Sequence, residues 1–292
     1  MTKSKEYNKL RHQALKKNNV VGVGLGYKTV KGEATEELSM VVLVEKKLPL
    51  SKLRGAEAVP RVYGNYITDV QEVGQIKLLA AERDDLKQRQ GKIRPAMPGM
   101  SIAHYTSTAG TLGAVVTGSD SGEVFILSNN HVMANVSNGR DCKAEKGDPI
   151  YQPGPFDGGT EEDILARLDS FIPLYLEDTT ASCPLVSWVE KVINFAVKRR
   201  KYRVRFFKME GKGNLVDAAL ARPLETWMVT PEILGIGEVK STAQAQIGEM
   251  LYKSGRTSGV TSGRVRVLDA SVWVHTSPTS RMLMEEQIIA EP

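Results

Sequence analysis

The sequence predicts a mostly β protein in two consecutive parts, a small α/β domain over residues 1–95 and a β domain over 96–292. Three observations carry this. After residue 97, short apolar runs recur between Gly, Asp and Asn turns, the pattern of an antiparallel barrel or sandwich. Ile93-Arg94-Pro95-Ala96-Met97-Pro98-Gly99 ends the charged stretch before it and sets the boundary near residue 95. A length of 292 residues fits two domains of roughly 150 residues each.

In chain order, residues 4–17 place Tyr7, Leu10, Ala14 and Leu15 near helical spacing, which predicts a short amphipathic helix. The runs Val20 to Tyr27 and Leu38 to Val44 flank a polar Lys31-Gly32-Glu33 turn and predict a hairpin. Val70 to Leu79 reads as strand, and Ala80 to Gln90 as a charged helix or linker. In the second part, Thr111–Thr117, Glu123–Asn129, Asp148–Gln152, Ile164–Leu168 and Leu215–Ala221 read as strands. Between about 170 and 213 the rhythm fails, and Leu185, Val189, Val192, Ile193 and Ala196 share a helical face, so an inserted helix is expected. The strand pattern resumes at Gly248 and runs to Ile289.

Composition narrows the function classes. With 41% hydrophobic and 25% charged residues the chain is globular, not disordered. It has no apolar run of about 18 residues and no apolar signal core near Met1, so neither a transmembrane segment nor a secretory peptide is predicted. Two cysteines, Cys142 and Cys183, fit a reducing interior, and the expected location is cytoplasmic. The net charge of +5 is concentrated at Lys198 to Lys208. With Tyr202, Phe206 and Phe207 interleaved, that stretch is either a phosphate or membrane contact or a solvated strand with inward aromatics.

Two residues are the candidates for chemistry. His131 follows the apolar strand Ile126-Leu127-Ser128, where a sheet can hold a ring that faces a cleft; the alternative is a hydrogen-bonded structural histidine. Asp217 sits in Asn214-Leu215-Val216-Asp217-Ala218-Ala219, where burial is costly unless something donates to the carboxylate. An imidazole N–H is such a donor; a surface turn is the other reading. Gly22-Val23-Gly24-Leu25-Gly26 lacks dinucleotide-loop spacing, and the four histidines show no metal-ligand spacing with either cysteine. No cofactor and no metal are expected. Cys183, before Pro184, reads as a small buried residue.

Taken in order, these residues resemble the trypsin-like serine peptidases of chymotrypsin fold, in a bacterial branch with an extra N-terminal domain. The resemblance runs from about residue 97 to the end. It is carried by Pro98-Gly99-Met100-Ser101-Ile102, Ala109-Gly110-Thr111-Leu112-Gly113, Leu127-Ser128-Asn129-Asn130-His131-Val132, Gly147 to Gly154, Val216-Asp217-Ala218-Ala219 and Lys253 to Val265. It implies a double β-barrel with a helical and basic insertion at about 170–213, preceded by the α/β domain. It further implies that His131 is the general base of a serine endopeptidase and Asp217 its orienting acid.

The sequence departs from the family in having no Gly-Asp-Ser-Gly turn after Asp217. Gly118-Ser119-Asp120-Ser121-Gly122 precedes His131 and reads as a hairpin turn, and Ser254, Ser258 and Ser262 also read as turn residues. The second barrel is therefore expected to be incomplete, and the chain alone inactive. The expected partners are a protein substrate and a C-terminal segment or second chain that supplies the serine and the oxyanion-hole amides. A homo-oligomer stays open and nucleic acid is disfavoured. The competing readings are a non-catalytic binding scaffold of the same fold, and a module that touches nucleic acid or membrane through the basic insertion.

Overall fold

The computed structural model describes residues 5–53, 55, 57–76, 87–178, 213–277 and 280–291. The expected helix at 185–196, Cys183 and the basic stretch at 198–208 lie outside these residues, as does most of the charged stretch at 80–90. The chain is mostly β and forms two compact units. One comprises Met1–Leu78, Tyr175–Leu215 and Val267–Ile288, the other Leu79–Leu174, Val216–Arg266 and Ile289–Pro292.

The first unit opens with helix α1 (Lys5–Leu15), followed by strands β1 (Val20–Val30) and β2 (Glu33–Val44) joined at Lys31-Gly32. Both Lys31 and Gly32 have positive φ, as a tight hairpin turn with its strands' twist demands. Tyr7, Ala14 and Leu15 of α1 pack on Val20, Val23, Met40, Val42 and Val44 to form one core. Each large side chain so buried contributes about 1.5–3 kcal/mol. Strand β3 (Val62–Tyr63) and β4 (Tyr66–Glu72) follow, and β4 runs parallel to β2.

The second unit begins with the short helix α2 (Lys87–Gln90) and is built on β5 (Ser101–His104), β6 (Gly110–Thr111), β7 (Ala114–Thr117), β8 (Val124–Ser128), β9 (Pro149–Tyr151) and β10 (Ile164–Phe171). Helix α3 (Asn130–Met133) follows β8 directly. After β11 (Glu177–Asp178), which belongs to the first unit's sheet, comes β12 (Ala219–Pro223). The hydrogen-bonded order is β6-β5-β9-β10-β12-β8-β7. Its two end strands are consecutive in the chain, separated only by Leu112-Gly113. Leu112 N–H bonds to Met100 O at 2.8 Å and Gly113 N–H to Leu127 O at 3.0 Å, so the kink between β6 and β7 is held to the β5 side and to β8. Ile102, Ile126, Ile150, Leu165, Leu168, Ala219 and Ala221, from β5, β8, β9, β10 and β12, share one buried cluster with Leu112 of the kink.

Strand β13 (Met250–Gly255) pairs with the first residues of β14 (Gly259–Ser277) around the Arg256-Thr257-Ser258 turn. Within the same unit, Arg256 and Asp157 form an ion pair whose side chains are 6% and 5% exposed. Arg256 Nε donates to Asp157 Oδ2 at 2.8 Å, and Ser101 Oγ donates to the same oxygen.

One sequence expectation is corrected here. Val267 to Ile288 does not continue a second barrel. Its strands β14 and β15 (Ser280–Glu291) join the first unit's sheet, in the order β11-β15-β14-β1-β2-β4-β3, with Gly22 opposite Val272 and Gly26 opposite Val267. By contacts the two units interleave along the chain, with residues 1–78, 175–215 and 267–288 in one and 79–174, 216–266 and 289–292 in the other. The physical reason is that β1, largely buried and paired with β2 on one side, needs a hydrogen-bonding neighbour on the other, which no described residue before 95 supplies. Strands β8 and β12 are neighbours in the second unit's seven-stranded, half-barrel sheet.

Candidate functional site

The register of two neighbouring strands builds the site. β12 runs antiparallel to β8, with Ala219 opposite Ser128 and Ala221 opposite Ile126. His131 lies three residues past Ser128 and Asp217 two residues before Ala219, so both leave the same end of this strand pair. Loop positions anchored to adjacent strands are held firmly while their side chains stay free of the ladder.

Asp217 meets His131 twice. Its Oδ1 accepts the His131 backbone N–H at 3.2 Å, and its Oδ2 forms a short hydrogen bond with the ring Nδ1. An ionised carboxylate only accepts, so Nδ1 carries the hydrogen and donates it. The Asp217 side chain is 9% exposed and that of His131 27%. Among the described residues nothing hydrogen-bonds to His131 Nε2, whose lone pair in the neutral ring is thereby left to accept a proton.

The neighbours are fixed in turn. Asn130 is fully buried; its Nδ2 donates to Ser137 O at 2.9 Å and Ile172 O at 2.8 Å, and its Oδ1 accepts Ser137 N–H at 3.1 Å. Ile172 N–H bonds to Ala218 O at 2.9 Å, clamping the residue after Asp217. Asn129 Nδ2 donates to Asp217 O at 2.9 Å. On the other side, Val132 packs against Gly110, where an added Cβ would stand 2.3 Å from Val132 Cγ2. Sequence reasoning names His131 and Asp217 but not Asn129 or Asn130, which locally look like ordinary helix-start residues.

A second histidine shows the contrast. His104 is 1% exposed, with Nε2 donating to Asp148 Oδ2 at 2.9 Å and Nδ1 within 2.9 Å of Thr106 Oγ1. Both of its nitrogens are engaged, so it holds β5 to the start of β9 and offers no free base.

No protein-family profile and no curated protein matches the chain. The serines that the sequence considers sit elsewhere. Ser121 lies in the turn before β8, whereas His131 follows that strand's other end, and Ser121 Oγ accepts Glu123 N–H at 3.2 Å. Ser254 Oγ is taken up by Leu234 O at 2.6 Å and Arg89 Nη1 at 2.7 Å, and Ser258 Oγ by Lys253 Nζ at 2.6 Å. Among the described residues, no group of His, Cys, Asp and Glu could hold a metal ion, and no helix is long and apolar enough to cross a membrane. What the arrangement can do is bounded by this. It can take a proton at Nε2, stabilise the resulting imidazolium with Asp217, and return the proton.

Proposed function

We propose that His131 and Asp217 are the base and orienting acid of a serine endopeptidase of trypsin-like fold. The observation that carries this reading is the carboxylate of Asp217 taking both N–H groups of His131 while Nε2 stays unengaged. The antiparallel pairing of β8 and β12, with the histidine after one strand and the aspartate before its neighbour, supports the same reading. The serine, on this proposal, comes from a further polypeptide segment or second chain: no Gly-Asp-Ser-Gly turn follows Asp217, and no serine hydroxyl among the described residues engages Nε2.

The steps follow from the geometry. Nε2 removes the proton of the incoming serine hydroxyl as its oxygen attacks a substrate peptide carbonyl. Asp217, nearly buried, holds the ring and offsets its positive charge. The tetrahedral intermediate collapses as Nε2–H protonates the departing amine, leaving an acyl-serine. Water then attacks that ester, giving its proton to Nε2, and the serine recovers it as the acid leaves. The amides that hold the oxyanion arrive with the serine's own segment.

The test uses the protein purified with its natural partners from the cells that make it, assayed on fluorescently labelled casein. His131→Ala lowers hydrolysis by a factor of about 10³ or more. Equal hydrolysis by wild type and variant overturns the proposal. An assembly that binds casein and never cleaves it favours the scaffold reading instead.

A further inference from the structure

Asn129 is the N-cap of α3 by its backbone. Its φ of −80° and ψ of 152° are extended, and its carbonyl accepts Met133 N–H at 3.0 Å. Asparagine is favoured at such positions because its side-chain oxygen can accept the N–H of the second or third helical residue. Here it makes no such bond. The N–H of the second helical residue, His131, goes instead to the carboxylate of Asp217, 86 positions away. The Asn129 amide turns outward and donates to the main-chain oxygen of that same aspartate at 2.9 Å. The capping partners are exchanged: Asp217 caps the helix, and the residue that ordinarily would cap it holds Asp217.

We infer that Asn129 is a positioning residue, which fixes Asp217 through its carbonyl and thereby sets the Nδ1–H tautomer of His131. The inference rests on the reading of His131 as a base. Asp217 is gripped at both ends, by Asn129 at the carbonyl and by His131 at the carboxylate. Without the Asn129 donor, the clamp nearest to it is one residue on, at Ala218 O. The carboxylate then loses the fixed aim that keeps the hydrogen on Nδ1 instead of Nε2.

Asn129→Asp separates the two roles that this position could play. Aspartate caps a helix as well as asparagine does, but it has no N–H to donate. The measurement is the pair of ring ¹⁵N shifts of His131 in residues 1–292, at a pH where the ring is neutral, together with the thermal midpoint. The expected result is that N129D loses the Nδ1–H signature and shifts to mixed tautomers, as Asn129→Ala does, while its melting midpoint stays at the wild-type value. N129D with the wild-type tautomer would overturn the inference, since the Asn129 amide would then not set the Nδ1–H form of His131. If N129D does not fold, Asn129→Ser, whose hydroxyl caps but is one bond shorter than the amide, is read in the same way. Neither measurement needs catalysis, so a failed peptidase assay and a failed tautomer shift remain distinct outcomes.

Discussion

His131 and His104 each face one aspartate, yet the structure gives them opposite tautomers and different fates. Asp217 takes the hydrogen of Nδ1 and leaves Nε2 open, whereas Asp148 takes that of Nε2 and Thr106 covers Nδ1. Replacing Asp217 by Asn would present an amide N–H to Nδ1, turning that nitrogen into an acceptor and moving the ring hydrogen to Nε2. The expected outcome for D217N is a fall of about 10⁴ in turnover with the fold intact, checked by casein hydrolysis and circular dichroism. A second residue-scale prediction concerns Asp157. D157A strands the Arg256 guanidinium, 6% exposed, without its carboxylate, and should cost about 3–5 kcal/mol of unfolding free energy, read as a lowered urea midpoint. Asp120→Ala, in an exposed turn, should leave that midpoint unchanged. Of these residues, Asp217 was legible because a charge between Val216 and Ala218 demands a donor. Asp157 and Arg256 were not, since 99 positions separate them and each looks locally like a turn residue. Asn129 was hidden for a similar reason: its local pattern is that of a helix cap, and only the tertiary pairing diverts the side chain.

At the scale of elements, α3 carries His131 and rests on β6 through Val132 against Gly110. A methyl group there would stand 2.3 Å from Val132 Cγ2, so Gly110→Ala must push α3 outward. The expected cost is about 1–3 kcal/mol of stability, with loss of the Nδ1–H signature of His131 in the same protein. A stable G110A with an unchanged histidine signal would contradict this packing. Gly24 has the same role in the first unit, where its Cβ would come within 2.3 Å of Val267 Cγ1. The glycine alternation at 22–26 is thus a close-approach surface between β1 and β14, where the register shifts between Val23 and Leu25. Hairpin β1–β2 and helix α1 were legible from a turn and a helical period. The partner of β1 was not, because periodicity marks a strand but not the neighbour it chooses. The alternation at Val265 and Val267 breaks at Leu268-Asp269 and resumes at Ala270, Val272 and Val274, but such a break alone gives no sign that the two halves of the strand fall in two units. The strand expected at Leu215–Ala221 begins only at Ala219, since the residues before it are spent on placing Asp217.

For the whole molecule, the charge balance predicts an acid limit. Asp163 is held below the ordinary carboxylate range chiefly by a hydrogen bond from Lys92, and Asp169 chiefly by one from Lys146. A carboxylate whose folded pKa is depressed adds stability that is present above its unfolded value and lost as pH falls through the folded one. The second unit should therefore lose stability as pH drops below about 4. The lysines are half exposed or more, so each pair contributes no more than about 1 kcal/mol. The double variant D163N/D169N should show a flatter dependence of its thermal midpoint on pH between 5 and 3, and an unchanged slope would exclude these two groups. The central claim, that His131 and Asp217 serve a serine brought by another polypeptide segment, is tested most directly by fluorophosphonate labelling followed by peptide mapping. The account predicts no label on the isolated 1–292 chain. In the assembly purified from its own cells it predicts a labelled serine outside residues 1–292, with labelling lost in H131A. A label on any serine within 1–292, or equal labelling of the H131A assembly, would contradict it.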